Sequence, residues 1–137
     1  MTSTLKKEGV DEIRTFGFHE QSHFRVLDVS RHNEFTQVSA KIDGKTLCFD
    51  LRLHGRHWAS NALGVLAAVS AVGGDVEAAL LSLKDVCGIK GRGKTENISA
   101  NGRSFTLIDE SYNASPVSMR AALEVLGETP LKEGGRR

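Results

Sequence analysis

Polar and apolar positions alternate early in the chain and recur at helical spacing further on, so the pattern changes period before any residue is given a role. Phe49, Leu51 and Leu53 alternate with Asp50 and Arg52, the mark of a strand with one buried and one wet face. Strands are predicted over Ile13–Phe18, Phe24–Val29, Phe35–Ile42 and Lys45–Leu53, so that residues 10–53 are β-rich. Asp43-Gly44 supplies a two-residue hairpin turn between the last two strands. From about Trp58 to Val72 the chain is dense in Ala, Leu and Val, which predicts a helix buried on most sides. Gly73-Gly74 ends it, and Asp75 caps a second helix that runs to about Val86 with Val76, Ala79, Leu80 and Leu83 on one face. Gly88–Lys94 then carries three glycines in seven residues and predicts a flexible, basic hinge at a domain boundary, dividing the chain into residues 1–90 and 91–137. Beyond it, Asn101-Gly102 turns a second hairpin whose return strand, Phe105-Thr106-Leu107-Ile108, reads as buried. A last helix is predicted over Pro116–Leu126, with Ser115 as N-cap, Pro116 in the first turn, and Met119 and Leu123 as core positions. Alternation of this kind defines an α/β chain with no internal repeat.

Composition narrows the function classes. The 137 residues are 39% hydrophobic and 26% charged, with a net charge of +1. A balance this close to neutral lacks the positive field that nucleic-acid binding requires. No apolar run is long enough to span a membrane, and Met1-Thr2-Ser3-Thr4-Leu5-Lys6-Lys7 lacks a hydrophobic signal core, so a cytosolic compartment is expected. Cys48 and Cys87 are isolated, without metal-type spacing, and fit two reduced thiols. His54 and His57 lie close in sequence but have no third ligand nearby, so no metal site is expected of this chain.

The richest chemistry lies where the return strand ends. Asp109-Glu110-Ser111-Tyr112-Asn113 releases polar groups at the carboxyl end of a strand, just before a helix, where α/β folds bind ligands. Carboxylate and amide groups there suit ribose hydroxyls and a purine edge. Read as local pattern only, the same residues are a capped strand–helix corner facing water. A second cluster, Gly55-Arg56-His57-Trp58-Ala59-Ser60-Asn61-Ala62, opens the long helix, with His57 and Asn61 four apart on one face.

Together these segments resemble the Mur ligase family, whose members carry Gly-(Arg/Gln)-His-Asn-x-x-Asn-Ala, then a Gly-Arg pair, then an acidic strand-end motif. In the branch that joins D-alanyl-D-alanine to UDP-N-acetylmuramoyl-tripeptide, that last motif resembles Asp109-Glu110-Ser111-Tyr112-Asn113-Ala114-Ser115-Pro116-Val117-Ser118-Met119. The resemblance extends from about residue 10 to the end and is weakest before residue 46. It implies a partial chain: the β-rich and helical tail of a central ATPase domain, followed by the first strands and helix of a Rossmann-like C-terminal domain. Family parts upstream, including the phosphate-binding loop, the UDP-sugar domain and a magnesium-holding modified lysine, have no counterpart here. The resemblance therefore implies a chain that is inactive alone, with open strand edges that invite self-association.

It also implies roles. ATP lies between the central and C-terminal domains and phosphorylates a peptide carboxylate, and an amine then displaces phosphate from that acyl phosphate. ATP and Mg2+ are thus the implied cofactors, with Mg2+ arriving on ATP. Asn61 matches the residue that contacts adenine, and His57 the histidine at the helix start. Arg92 matches the arginine that reaches the nucleotide across the domain junction. Asp109 or Glu110 would accept from the ribose hydroxyls, Glu110 being the aligned acid, while Tyr112 and Asn113 line the same pocket. Trp58 replaces an asparagine, and core packing is the expectation for it; Ser115 also replaces an asparagine, and Gly93 a frequent leucine. No residue of this chain is assigned a catalytic role.

Two other readings remain open: a non-catalytic binding module on this scaffold, and a small P-loop protein. Gly88-Ile89-Lys90-Gly91-Arg92-Gly93-Lys94-Thr95 does match the P-loop pattern. A true P-loop follows a strand and opens a helix, whereas here a helix precedes and a hairpin follows, so the match is read as fortuitous.

Overall fold

A computed structural model of the chain describes Gly9, residues 12–131 and residues 133–137. Residues 1–8, Val10, Asp11 and Lys132 lie outside these, and with them the opening segment read above for a signal core. The first sheet holds β1 (Phe16–Gly17), β2 (Phe24–Arg31), β3 (Thr36–Ile42) and β4 (Lys45–Leu51), in that spatial order. β1 runs parallel to β2, and the β2–β3 and β3–β4 pairs are antiparallel. Asp43 and Gly44 both take positive φ, 45° and 88°, as the tight β3–β4 turn requires.

Alternation decides which face is buried. Thr36, Val38, Ala40 and Ile42 of β3 point inward, joined by Phe24 and Val26 of β2 and Phe49 and Leu51 of β4. The helix α1 (Arg56–Ala71) lies on this face through Ala59, Ala62, Leu63, Leu66 and Ala67. α2 (Val76–Ser82) and a 3-10 turn (Leu83–Asp85) complete the layer. Asp75 caps α2 by accepting from the Ala78 N–H at 3.0 Å, as predicted.

A second unit follows. β5 (Lys94–Ala100) and β6 (Arg103–Asp109) form an antiparallel two-stranded sheet turned at Asn101-Gly102, and α3 (Pro116–Glu128) comes after it. The Ser115 hydroxyl accepts from the Ser118 N–H and Pro116 opens the helix, so this cap forms as expected.

Several expectations are corrected. The first strand is confined to Phe16–Gly17 rather than Ile13–Phe18, because Gly17 leaves extended geometry at φ 127° and a turn closes through Ser22 N–H to His19 O. β2 continues to Arg31, and the second helix gives way to a 3-10 turn after Ser82. α1 is not buried on most sides: the sheet and α2 cover only part of it, so Val65 stays 54% exposed on the open face. The β6 run is not buried either. Among the described residues only β5 pairs with it, and Phe105 and Leu107 are 51% and 41% exposed. Met119 and Leu123 likewise face outward, because among the described residues no sheet covers that side of α3. Cys48 and Cys87 are free and exposed. Among the described residues no helix is long and apolar enough to cross a membrane.

The two units differ in how much they bury, and that yields two expected outcomes. Leu63→Ala, at a fully buried position, should lower unfolding free energy by about 2–5 kcal/mol in a denaturant titration, whereas Val117→Ser should change it by less than about 0.5 kcal/mol. The open β5–β6 edges and the exposed Phe105 and Leu107 should make the chain self-associate with rising concentration in analytical ultracentrifugation. Leu107→Lys should suppress that association, and a monomer unaffected by concentration would refute it.

Candidate functional site

The end of β6 is where the second unit acquires its shape. Strand pairing ends at Asp109, and its carbonyl accepts from the Gly93 N–H at 2.9 Å. Its carboxylate is fully engaged. Oδ2 accepts from the Gly91 N–H at 2.8 Å, and Oδ1 accepts from the Ser111 N–H at 3.1 Å and the Ser111 hydroxyl at 2.6 Å. The Tyr112 N–H then donates back to the Gly91 carbonyl at 3.0 Å. These bonds correct the expectation of a flexible hinge: residues 89–93 form a tied turn in which Gly91 is buried. Glycine is needed there, since a Cβ on Gly91 would sit 3.1 Å from Tyr112 Cβ at a φ of 81°.

This turn lays Arg92 on Tyr112. The guanidinium carbon stands 3.8 Å from the ring centroid, a cation–π contact that gives two exposed side chains a common orientation. Glu110 points the other way, toward Gly93 and Trp58: a Cβ on Gly93 would lie 3.5 Å from both Glu110 Oε1 and Trp58 Nε1. Trp58 thus brings α1 up to the strand-end corner, half-buried on the core edge. Asn61 follows Trp58 by three residues and so lies one turn along the same side of α1. It is exposed, and its amide makes no hydrogen bond within the described residues.

Electrostatics separate the two neighbouring acids. The Ser111 hydroxyl, the Gly91 N–H and the Ser111 N–H hold Asp109 below the ordinary carboxylate range. Burial, with the Asp109 charge alongside, pushes Glu110 upward, against a smaller opposing pull from the Gly93 N–H. Asp109 is therefore engaged within the turn, whereas these bonds leave the Glu110 carboxylate untied. Lys94 pairs with Glu96 within β5, and Lys94 and Thr95 begin a strand rather than a helix, in line with the P-loop match being fortuitous.

Of the residues singled out in the sequence, Arg92, Asp109, Glu110 and Tyr112 come together here. Asn113 is exposed beside them, with its carbonyl accepting from the Ser118 hydroxyl at 3.4 Å. His57 goes elsewhere. Its ring packs under Gly55 beside Val125 of α3, where burial lowers its pKa and Glu124 opposes the shift. Trp58 was assigned to the core and proves to be a wall of the corner as well. Its place inside the helix-opening motif was the one signal of that role in the sequence. Among the described residues no group of three or more His, Cys, Asp or Glu side chains could hold a metal ion.

A cleft of about 530 Å³ opens beside the corner. Its lining includes Glu110, Gly93, Arg31, His54, Val125 and Thr129.

The family model for the Mur ligase middle domain matches residues 1–69. The chain belongs to the Mur ligase family. It is 34% identical over 128 residues to a UDP-N-acetylmuramoyl-tripeptide–D-alanyl-D-alanine ligase of Rickettsia prowazekii, covering 93% of this chain and 28% of that protein. It is 30% identical over 112 residues to a UDP-N-acetylmuramate–L-alanine ligase of Streptomyces coelicolor, covering 82% of this chain and 23% of that one. The chain thus spans about a quarter of the length of the curated relatives it matches. The structure of the MurF ligase of Thermotoga maritima in complex with ADP superposes with a TM-score of 0.73 at 20% identity, over 95% of this chain and 30% of that one, which shows the shared mixed α/β fold. Within the Mur ligase family, both the D-alanyl-D-alanine and the L-alanine ligases are thus relatives of this chain.

The Asp109 bonds give a pH signature. A carboxylate whose pKa is depressed by folding contributes stability above its unfolded-state value, and the contribution is lost as pH falls through the lower folded value. Amide-proton shifts of Gly91 and Ser111 should therefore hold steady at neutral pH and titrate only below about pH 4. Asp109→Asn should abolish that titration, and flat shifts in the parent chain would show that the carboxylate does not tie the turn.

Proposed function

We propose that this chain carries the nucleoside side of an ATP site in a ligase of peptidoglycan precursor synthesis. The observation that carries the reading is the corner itself. One acid is consumed in building it, which leaves a second, Glu110, on the Gly93–Trp58 side of a turn whose other side carries the Arg92 guanidinium stacked on the Tyr112 ring. A carboxylate with unused lone pairs suits vicinal ribose hydroxyls, and Arg92 can pair with a phosphate or lie on a base. Asn61, without a protein partner among the described residues, offers a donor and an acceptor to a purine edge. Tyr112 orients Arg92, and Asn113 is exposed next to Tyr112 in the chain. His57, in the first turn of α1, lies beside Val125 of α3 at Gly55. The complex of the Thermotoga maritima ligase with ADP accords with this reading.

On this proposal residues 1–90 end a central ATP-binding domain and residues 91–137 begin a C-terminal domain. The Asp109–Met119 motif favours the branch that adds D-alanyl-D-alanine to UDP-N-acetylmuramoyl-tripeptide, with a cytosolic location. The carboxylate substrate, the amine and Mg2+ are expected to be held by other parts of such an enzyme. Here the chain's own work is to bind and orient the nucleoside, and positioning of that kind supplies much of the rate in phosphoryl transfer.

Titration of the chain with Mg-ATP, followed by amide NMR, should shift the resonances of Asn61, Arg92, Glu110 and Tyr112. Arg92→Ala and Glu110→Gln should each weaken binding about ten- to a hundredfold, the range expected for a lost hydrogen bond to a charged group. Lys94→Ala should leave binding unchanged. A folded spectrum without shifts at the corner, or binding lost through Lys94 alone, would overturn the reading.

A further inference from the structure

We infer that Arg31, which none of the family-like motifs contains, is a positioning residue that holds the nucleotide corner against the first unit. The inference rests on the site proposed above for its consequence, but not for its geometry.

The geometry begins with a β-bulge. The β2–β3 register shifts between Val26 and Asp28, leaving Leu27 as the extra residue, 44% exposed. Upstream of it Phe24 and Val26 face the core. A regular strand would continue inward at Asp28 and Ser30, but the added residue turns the phase, so Val29 packs against the core and Arg31 shares its face. A charged side chain is thereby aimed inward at the end of the strand.

Arg31 meets the end of α3 there. Its Nη1 donates to the Val125 carbonyl at 3.3 Å and its Nη2 to the Thr129 hydroxyl at 3.3 Å. The Thr129 hydroxyl in turn donates to the same Val125 carbonyl at 2.7 Å. The last carbonyls of a helix have no intrahelical partner and carry the negative end of its dipole, so a cation is favoured at that place. Glu128 adds a favourable charge nearby. Arg137 also caps these carbonyls, donating to Leu126 O and Thr129 O, but it comes from the tail that follows α3 and joins nothing across. Arg31 reaches over from 94 residues away.

Little else connects the units at this place. Val125 packs at Gly55 and His57, and Trp58 approaches Gly93 and Glu110. Arg31, Val125 and Glu110 line the same cleft. The Arg31 contact therefore sets how far α3, and with it the β6 corner that precedes it, stands from Asn61 on α1.

The test separates geometry from binding. With Cys48 and Cys87 changed to serine, spin labels at the exposed positions Val65 on α1 and Val117 on α3 report the distance between the units. The parent should give a narrow distance distribution and Arg31→Met a broad one. Thr129→Val, which removes one acceptor from the other side, should broaden it partly and add little to Arg31→Met. If the native spacing of the units falls to about a tenth of molecules, Mg-ATP affinity falls about tenfold. An unchanged distribution in both variants overturns the inference, whether or not ATP binds. Broadening in a chain that never binds Mg-ATP keeps the latch and sinks the proposed function instead. Amide spectra of the variants identify unfolding, and if Arg31→Met unfolds, the Thr129→Val distribution alone decides.

Discussion

The Asp109 carboxylate accepts three hydrogen bonds, and the shape of the second unit depends on them. One comes from Gly91, 18 residues earlier, so a single side chain joins the turn before the hairpin to the corner after it. Without that acceptor, the Gly91 N–H would lie buried and unpaired, a costly state for a backbone donor. The stacking of Arg92 on Tyr112 follows from this tie, since each ring or guanidinium sits one residue from a tied backbone group.

The same tie divides labour between adjacent acids. Asp109 is held ionised by donors on both oxygens, and its charge then helps push the pKa of Glu110 upward. Two neighbouring carboxylates thus acquire opposite environments, one structural and one available. Such separation is a common feature of binding sites, where fixed charges tune a group that meets the ligand.

Packing is unequal along the chain. The four-stranded sheet and α1 enclose a continuous apolar core, from Phe24 through Val38 to Leu63 and Leu66. The β5–β6 hairpin and α3 bury little, and their apolar side chains at Phe105, Leu107, Met119 and Leu123 face out. The corner therefore owes its shape to hydrogen bonds rather than to a core beneath it. Its position relative to α1 rests on a few contacts made by Arg31, Val125 and Trp58.

Sequence alone determined the features that depend on neighbours in the chain. The Asp43-Gly44 and Asn101-Gly102 turns, the Asp75 and Ser115 caps and the alternation through Phe49, Leu51 and Leu53 are local, so residue type and spacing sufficed. The order of the motifs also showed where the polar groups of the corner would gather. Burial was not legible in this way. An apolar run such as Phe105–Ile108 reads alike whether or not another layer covers it, and only the tertiary structure shows that none of the described residues does. The different fates of Asp109 and Glu110 were equally hidden, because the donor that claims Asp109 lies across a hairpin. Arg31 carried no signal at all: a bulge turned it inward, and its partners arrive 94 and 98 residues later. Local chemistry is written in the order of residues, whereas long-range partners are chosen only when the chain closes on itself.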